Sequence, residues 1–154
     1  MAGRVVQRAV YHLHGTVAGW REMRRQRTFD DLDPVLDYVD QAAGGYFKPL
    51  QVRSEIRSLL GLVRDLRPQR VMEIGTARGG TLLMWTRVAA PDAHLISLDL
   101  PRGRWGGGYG GWKVPVYKAF ALPGQRIDLL RADSHVASSL ERVRALLGGS
   151  GWTS

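Results

Sequence analysis

The residue types able to do chemistry in this chain gather between positions 70 and 135. Residues 70–81 read Arg-Val-Met-Glu-Ile-Gly-Thr-Ala-Arg-Gly-Gly-Thr, which sets a carboxylate, Glu73, two positions before Gly75, with Gly79 and Gly80 following. Glycine has no Cβ and adopts positive φ freely, so such a loop lets backbone N–H groups come close to a ligand. The spacing Glu-x-Gly-x-x-x-Gly-Gly is not the Gly-x-Gly-x-x-Gly of dinucleotide dehydrogenases, which argues against a pyrophosphate loop. Glu73 argues the same way, because a carboxylate where strand meets loop repels a diphosphate and suits a ligand carrying positive charge. Asp99 lies 24 positions beyond Gly75, near the roughly 20-residue spacing at which an acidic side chain meets a ribose hydroxyl. Its alternative is a helix cap or a solvated loop carboxylate, and the loop before it favours the ribose. His135 reads either as a general base or, more simply, as a loop or capping residue. A Gly-x-Ser-x-Gly elbow, a His-Glu-x-x-His pair and a Walker loop are all absent, which leaves a binding loop as the main chemical signal.

These residues need a strand, a turn and a helix to position them. Val71, Met72 and Ile74 form a short apolar run that fits a buried parallel strand. Leu82, Leu83, Trp85 and Val88 mark a buried helix after the glycines, and Pro91-Asp92 turns the chain into a second strand over residues 95–98. Upstream, Val52, Ile56, Leu59, Leu60, Val63 and Leu66 have the spacing of a helix packed on a sheet, closed by Pro68. Residues 101–112 hold six glycines among Arg102, Arg104, Trp105, Tyr109 and Trp112. That composition excludes a rigid element and leaves a lid over a ligand, a nucleic-acid strand contact or an ordinary surface loop. A short helix over residues 115–120 ends at Pro123-Gly124. Ile127, Leu129 and Leu130 make a third strand with Asp133 and Ser134 at its carboxyl end. Ser138 or Ser139 begins a last helix carrying Leu140, Val143, Leu146 and Leu147, which Gly148-Gly149 terminates.

The segments Glu73 to Gly80, Ser-Leu-Asp-Leu ending at Leu100 and Arg-Ala-Asp-Ser ending at Ser134 resemble the first three cofactor motifs of class I S-adenosylmethionine-dependent methyltransferases. The closest likeness is to the branch with cephalosporin hydroxylase-like and sugar O-methyltransferase members, whose glycine-rich segment after the second strand is similar to residues 100–117. The resemblance covers roughly residues 51–148. It implies a Rossmann-like α/β fold of about three parallel strands with flanking helices, preceded by an N-terminal helical segment. It implies S-adenosyl-L-methionine as cofactor, bound by Glu73, Gly75, Thr76, Ala77, Gly79, Asp99, Leu100, Asp133 and Ser134. Glu73 would take the cofactor's amino group, and Asp133 with Ser134 would face the adenine or its neighbouring ribose. The acceptor would be an oxygen of a sugar or small natural product. In that family a fourth strand ending in an Asp-Gly-Asp-His type motif follows and carries proton-removing or metal-binding groups, whereas this chain ends Ser-Gly-Trp-Thr-Ser. The resemblance therefore carries over no catalytic residue and places no divalent metal. Residues 46–149 are expected to be the N-terminal half of such a domain and 150–154 an irregular tail. A form of this length is expected to be inactive alone, with the edge of its first strand open to association.

Residues 1–45 read as a separate helical segment and linker. Val6, Ala9, Val10, Leu13, Val17 and Trp20 recur at helical spacing, with Arg4, Arg8, Arg21, Arg24, Arg25 and Arg27 around them. Gly15 and Gly19 weaken that helix. A basic amphipathic helix over residues 1–28 suits a membrane surface or a polyanion, or else docks on its own domain or on a partner subunit, which leaves a homo-oligomer open. Asp30, Asp31, Asp33, Asp37 and Asp40, interspersed with Leu32, Val35, Leu36 and Val39, suggest a short helix with a solvated acidic face. Ala43, Gly44 and Gly45 read as a linker. The net charge of +8, from 22 Lys plus Arg against 14 Asp plus Glu, frames a second function class: a non-catalytic basic Rossmann-like module contacting nucleic acid or an anionic membrane. The chain has no cysteine, which excludes disulfides and thiolate metal sites. It has no apolar run near the roughly 20 residues that span a bilayer and no signal-peptide pattern, so it reads as cytoplasmic.

Overall fold

Alternation of apolar positions at 3.6-residue and 2-residue periods partitions the chain into six helices and three strands among the described residues. The computed structural model describes residues 2–101 and 108–148. In chain order the elements are α1 (Ala2–Met23), α2 (Leu32–Gly45), α3 (Arg53–Leu66), β1 (Arg70–Ile74), α4 (Gly80–Val88), β2 (His94–Asp99), α5 (Val114–Lys118) after a single 3₁₀ turn at Gly111–Lys113, β3 (Arg126–Arg131) and α6 (Ala137–Leu146). The strands pair in parallel in the order β1-β2-β3, with Glu73 opposite Ser97 and Asp99 opposite Arg131. This is an α/β arrangement consistent with a Rossmann-like fold, because parallel neighbours require crossovers and helices supply them.

Strand β2 is buried along most of its length because helices cover both faces. Leu95 belongs with Ile127, Leu82, Leu83, Val116 and Phe120 in the larger core, while Ile96 and Leu98 pack with Leu130 and Val143 on the opposite face under α6. Strand β1 departs from the expectation of a buried strand. Met72 is 45% exposed and Ile74 66% exposed. The cause is position: among the described residues β1 pairs only with β2, and α6 packs on Ile96, Leu98 and Leu130 but not on Met72 or Ile74. Helix α3 is likewise less covered than its periodicity suggests. Ile56 and Leu60 are buried between α2 and α4, whereas Val52, Leu59 and Leu66 stay exposed.

The N-terminal helices share one core with the α/β unit, since Val35, Leu36 and Val39 of α2 lie in the same apolar cluster as Leu82, Leu83 and Met84 of α4. Helix α1 docks on its own chain, and here Gly15 and Gly19 do the reverse of weakening it. A Cβ at Gly15 would overlap the Tyr46 ring and one at Gly19 the Phe47 ring, so the glycines permit the close approach. The acidic face of α2 is not simply solvated either. Arg57 donates from Nε and Nη2 to Asp33 at 2.9 and 3.0 Å, and Arg53 reaches Asp37 at 2.7 Å and Asp40 at 3.2 Å. At residues 43–45 the chain bends, with Ala43 and Gly44 at φ 52° and 68°. Among the described residues no helix is long and apolar enough to cross a membrane.

Candidate functional site

The carboxyl ends of β1 and β2 bring Glu73, the glycine loop and Asp99 together. Asp99 is 7% exposed, and its Oδ2 accepts the backbone N–H of Ala77 at 2.8 Å. Ala77 adopts φ 45°, a left-handed conformation uncommon for a residue with a Cβ, and this bond helps hold it there. Asp99 Oδ1 has no hydrogen-bond partner among the described residues. The Ala77 carbonyl accepts from the Tyr117 hydroxyl at 3.1 Å. Gly75 N–H donates to the Leu98 carbonyl at 2.8 Å, and Gly79 N–H to the Thr76 carbonyl at 2.7 Å. The loop is therefore fixed by its own chain on both sides.

Only one of its three glycines faces open space. Gly75, at φ 96°, has nothing within 4 Å of where a Cβ would stand. Gly79, at φ 85°, turns that position against the Tyr117 and Phe120 rings, and Gly80 turns it against the Phe47 carbonyl. Gly79 and Gly80 thus also permit close packing of the loop onto the helices behind it.

Glu73 is partly buried near the carboxyl end of β1. Its Oε1 accepts from Ser97 Oγ at 2.6 Å and its Oε2 from Trp85 Nε1 at 3.2 Å. Burial pushes its pKa up to about 7, opposed by these two hydrogen bonds and reinforced by the nearby Asp99 charge. A carboxylate poised there gains from any cation placed at the loop. Thr76 is buried, and its hydroxyl shares a 2.5 Å hydrogen bond with Ser97 rather than facing outward. A crevice of about 110 Å³ lies between the loop and residues 48–51, on the side of Gly75, Ala77 and Arg78, and neither Glu73 nor Asp99 lines it. It is smaller than the about 300 Å³ at which pockets for whole drug-sized ligands begin, and so admits one end of a larger molecule.

The remaining expected site residues are spread along the same edge. Leu100 is exposed beside Asp99. Asp133 is partly exposed and its Oδ1 accepts from the backbone N–H of His135 at 2.9 Å, with His135 Nδ1 3.1 Å away. Those contacts hold the Asp133 carboxyl below the usual carboxylate range. Ser134 is exposed and the His135 side chain almost fully so, which matches a local turn rather than an enclosed general base. Arg102, Gly103, Arg104, Trp105, Gly106 and Gly107 of the expected lid lie outside the described residues, as does the tail from 149 onward.

Three contributors to the site carried no expected role in it: Ser97, Trp85 and Tyr117. Ser97 had a signal, being a polar residue in an apolar strand run and opposite Glu73 in register. Tyr109 is 4% exposed, its ring lies 4.9 Å from that of Tyr117, and its hydroxyl is buried with no partner. Burial and then the Asp99 charge push its pKa up to about 12. Among the described residues no three His, Asp or Glu side chains converge as metal ligands. No family model matches this chain, and no curated protein matches it.

Proposed function

We propose that the glycine loop together with the carboxyl ends of β1 and β2 binds S-adenosylmethionine, and that the chain is the cofactor-binding half of a methyltransferase acting on an oxygen of a sugar or small natural product. The observation that carries this reading is Asp99: one carboxylate oxygen ties down the loop through Ala77, and the other is left without a partner where a ribose hydroxyl would donate to it. Three further features fit the same group. Gly75 leaves open space on the loop's outer side, Glu73 offers a carboxylate that a neighbouring ammonium would ionise, and the Tyr109 hydroxyl is buried beside Asp99 with nothing to bond. In this reading Glu73 faces the amino group, Asp99 the ribose, and Asp133 with Ser134 the far end of the nucleoside. When bound, the cofactor supplies an activated sulfonium methyl for in-line displacement. The chain's part is to bind and orient it and to exclude water from the crevice. No catalytic residue is assigned.

The competing class, a basic module for nucleic acid or an anionic membrane, rests on the net charge of +8 alone. The test is equilibrium binding of labelled S-adenosylmethionine and of a nicotinamide dinucleotide to the protein. Saturable binding of S-adenosylmethionine supports the reading. Tight binding of a nicotinamide dinucleotide with none of S-adenosylmethionine would replace it.

A further inference from the structure

At the amino-terminal ends of β2 and β3, away from the glycine loop, a pocket of about 610 Å³ opens where α3 and α4 end beside Phe29 and Leu122. Its size falls within the roughly 300–1,000 Å³ of small-molecule sites. Three arginines, Arg64, Arg67 and Arg87, line it against one acidic residue, Asp30.

Arg87 is partly buried and donates from Nη1 to the Phe120 carbonyl at 2.8 Å and to Thr86 Oγ1 at 2.6 Å. Its Nε and Nη2 are buried and have no hydrogen-bond partner among the described residues. Those two nitrogens share one edge of the guanidinium, the edge that grips an oxyanion through two parallel bonds. Burial lowers the arginine's pKa and the Tyr38 hydroxyl opposes the shift, yet that hydroxyl donates its own hydrogen bond to Met23 Sδ at 3.9 Å. Buried donors left without acceptors are costly for a fold to keep. The Gln125 amide, also in the wall, offers them nothing: its Nε2 donates to the Thr86 and Ala90 carbonyls and its Oε1 accepts the Leu122 N–H.

Arg64 and Arg87 stand in the last turns of α3 and α4, where a cation offsets the carbonyl end of the helix dipole. That accounts for neither the unused edge of Arg87 nor for Arg67. Arg67 follows α3 in a left-handed conformation at φ 44°, a position usually given to glycine. Its side chain makes no hydrogen bond or ion pair with a described residue. Arg64 reaches only the Asp30 carbonyl at 3.5 Å and the Asp65 carboxylate at 4.0 Å.

We propose that Arg64, Arg67 and Arg87 form a binding site for a small phosphate monoester whose organic body lies against Phe29 and Leu122. Three cations around one space suit a dianion better than a singly charged carboxylate, and the planar fork of Arg87 matches phosphate geometry. The inference concerns the opposite end of the strands from the glycine loop and does not depend on what binds there.

Titration of the full chain with phenyl phosphate, benzoate and benzyl alcohol, read by calorimetry and thermal unfolding, tests it. Phenyl phosphate is expected to bind at one site per chain and to raise Tm. Benzoate, with one charge, and benzyl alcohol, with none, are expected to bind at least about tenfold more weakly. Arg67→Gly removes a guanidinium where glycine is the favoured residue, so the fold is kept, and Arg87→Lys keeps the charge without the fork. Each should lose about tenfold or more in affinity for phenyl phosphate. Arg144→Gln removes an exposed cation from α6, across the sheet, and should bind as the parent does. The proposal is overturned if phenyl phosphate does not saturate the protein by about 10 mM or if benzoate or benzyl alcohol binds as tightly. It is equally overturned if either Arg67→Gly or Arg87→Lys binds as the parent does, or if Arg144→Gln loses as much affinity as Arg67→Gly.

Discussion

Asp99 Oδ2 accepts the Ala77 N–H at 2.8 Å, so the carboxylate ending β2 holds the loop that leaves β1. The bond couples two neighbouring parallel strands at the point where a ligand would enter. It joins a charged acceptor to a backbone donor at a nearly buried site, a pairing worth about 1.5–3 kcal/mol. Asp99→Ala is therefore expected to lower unfolding stability by that order in urea titration, and to release Ala77 from its left-handed conformation.

Glu73 predicts a pH dependence of stability. Its pKa is about 7 in the folded chain against an ordinary value of 4.5, so between those values the folded state binds more protons than the unfolded one. Stability from this group is full below about pH 4.5 and is lost as pH rises through about 7, by roughly 3 kcal/mol in total. Glu73→Gln should flatten that part of the profile. Denaturant midpoints measured at pH 5 and pH 8 for both proteins decide the matter, and equal slopes would remove Glu73 as the cause.

The approach of α1 to Tyr46 and Phe47 leaves no room for side chains at Gly15 and Gly19. Gly15→Leu should cost about 1–3 kcal/mol through overpacking, although leucine is the better helix former. If helix propensity dominated, the same variant would be more stable than the parent in urea titration.

The outer edge of β1 is unpaired among the described residues, and Met72 and Ile74 are exposed along it. Such an edge is a template for another chain. Size-exclusion elution is expected to shift with concentration, and Ile74→Lys to suppress the shift by placing charge on the edge. Monomeric behaviour of the parent at all concentrations would contradict this.

The features legible in the sequence were those encoded locally. Glu73, Gly75 and the apolar residues of α4 announce a strand, loop and helix within twenty positions, and β2 and β3 follow at their expected places. Burial of β1 was not legible, because Met72 and Ile74 are as apolar as Ile96 and Leu98, and only the reach of α6 separates them. The acidic run on α2 looked solvated because its partners Arg53 and Arg57 come from the next helix. Tyr109 stood out only as an aromatic of the glycine-rich segment, and Lys113 gave no signal. Their environments arise where these two residues meet Tyr117 and Tyr46, a matter of tertiary contact rather than spacing.

The most direct test of the central claim is calorimetric titration of S-adenosylmethionine into the parent, Glu73→Gln and Asp99→Ala. Saturable binding by the parent is expected, tighter at pH 8 than at pH 6 because the ligand's ammonium favours ionised Glu73. Asp99→Ala should bind at least about tenfold more weakly, and Glu73→Gln should lose the pH dependence. Absence of binding by the parent, or equal affinity in all three proteins, would contradict the assignment of this site.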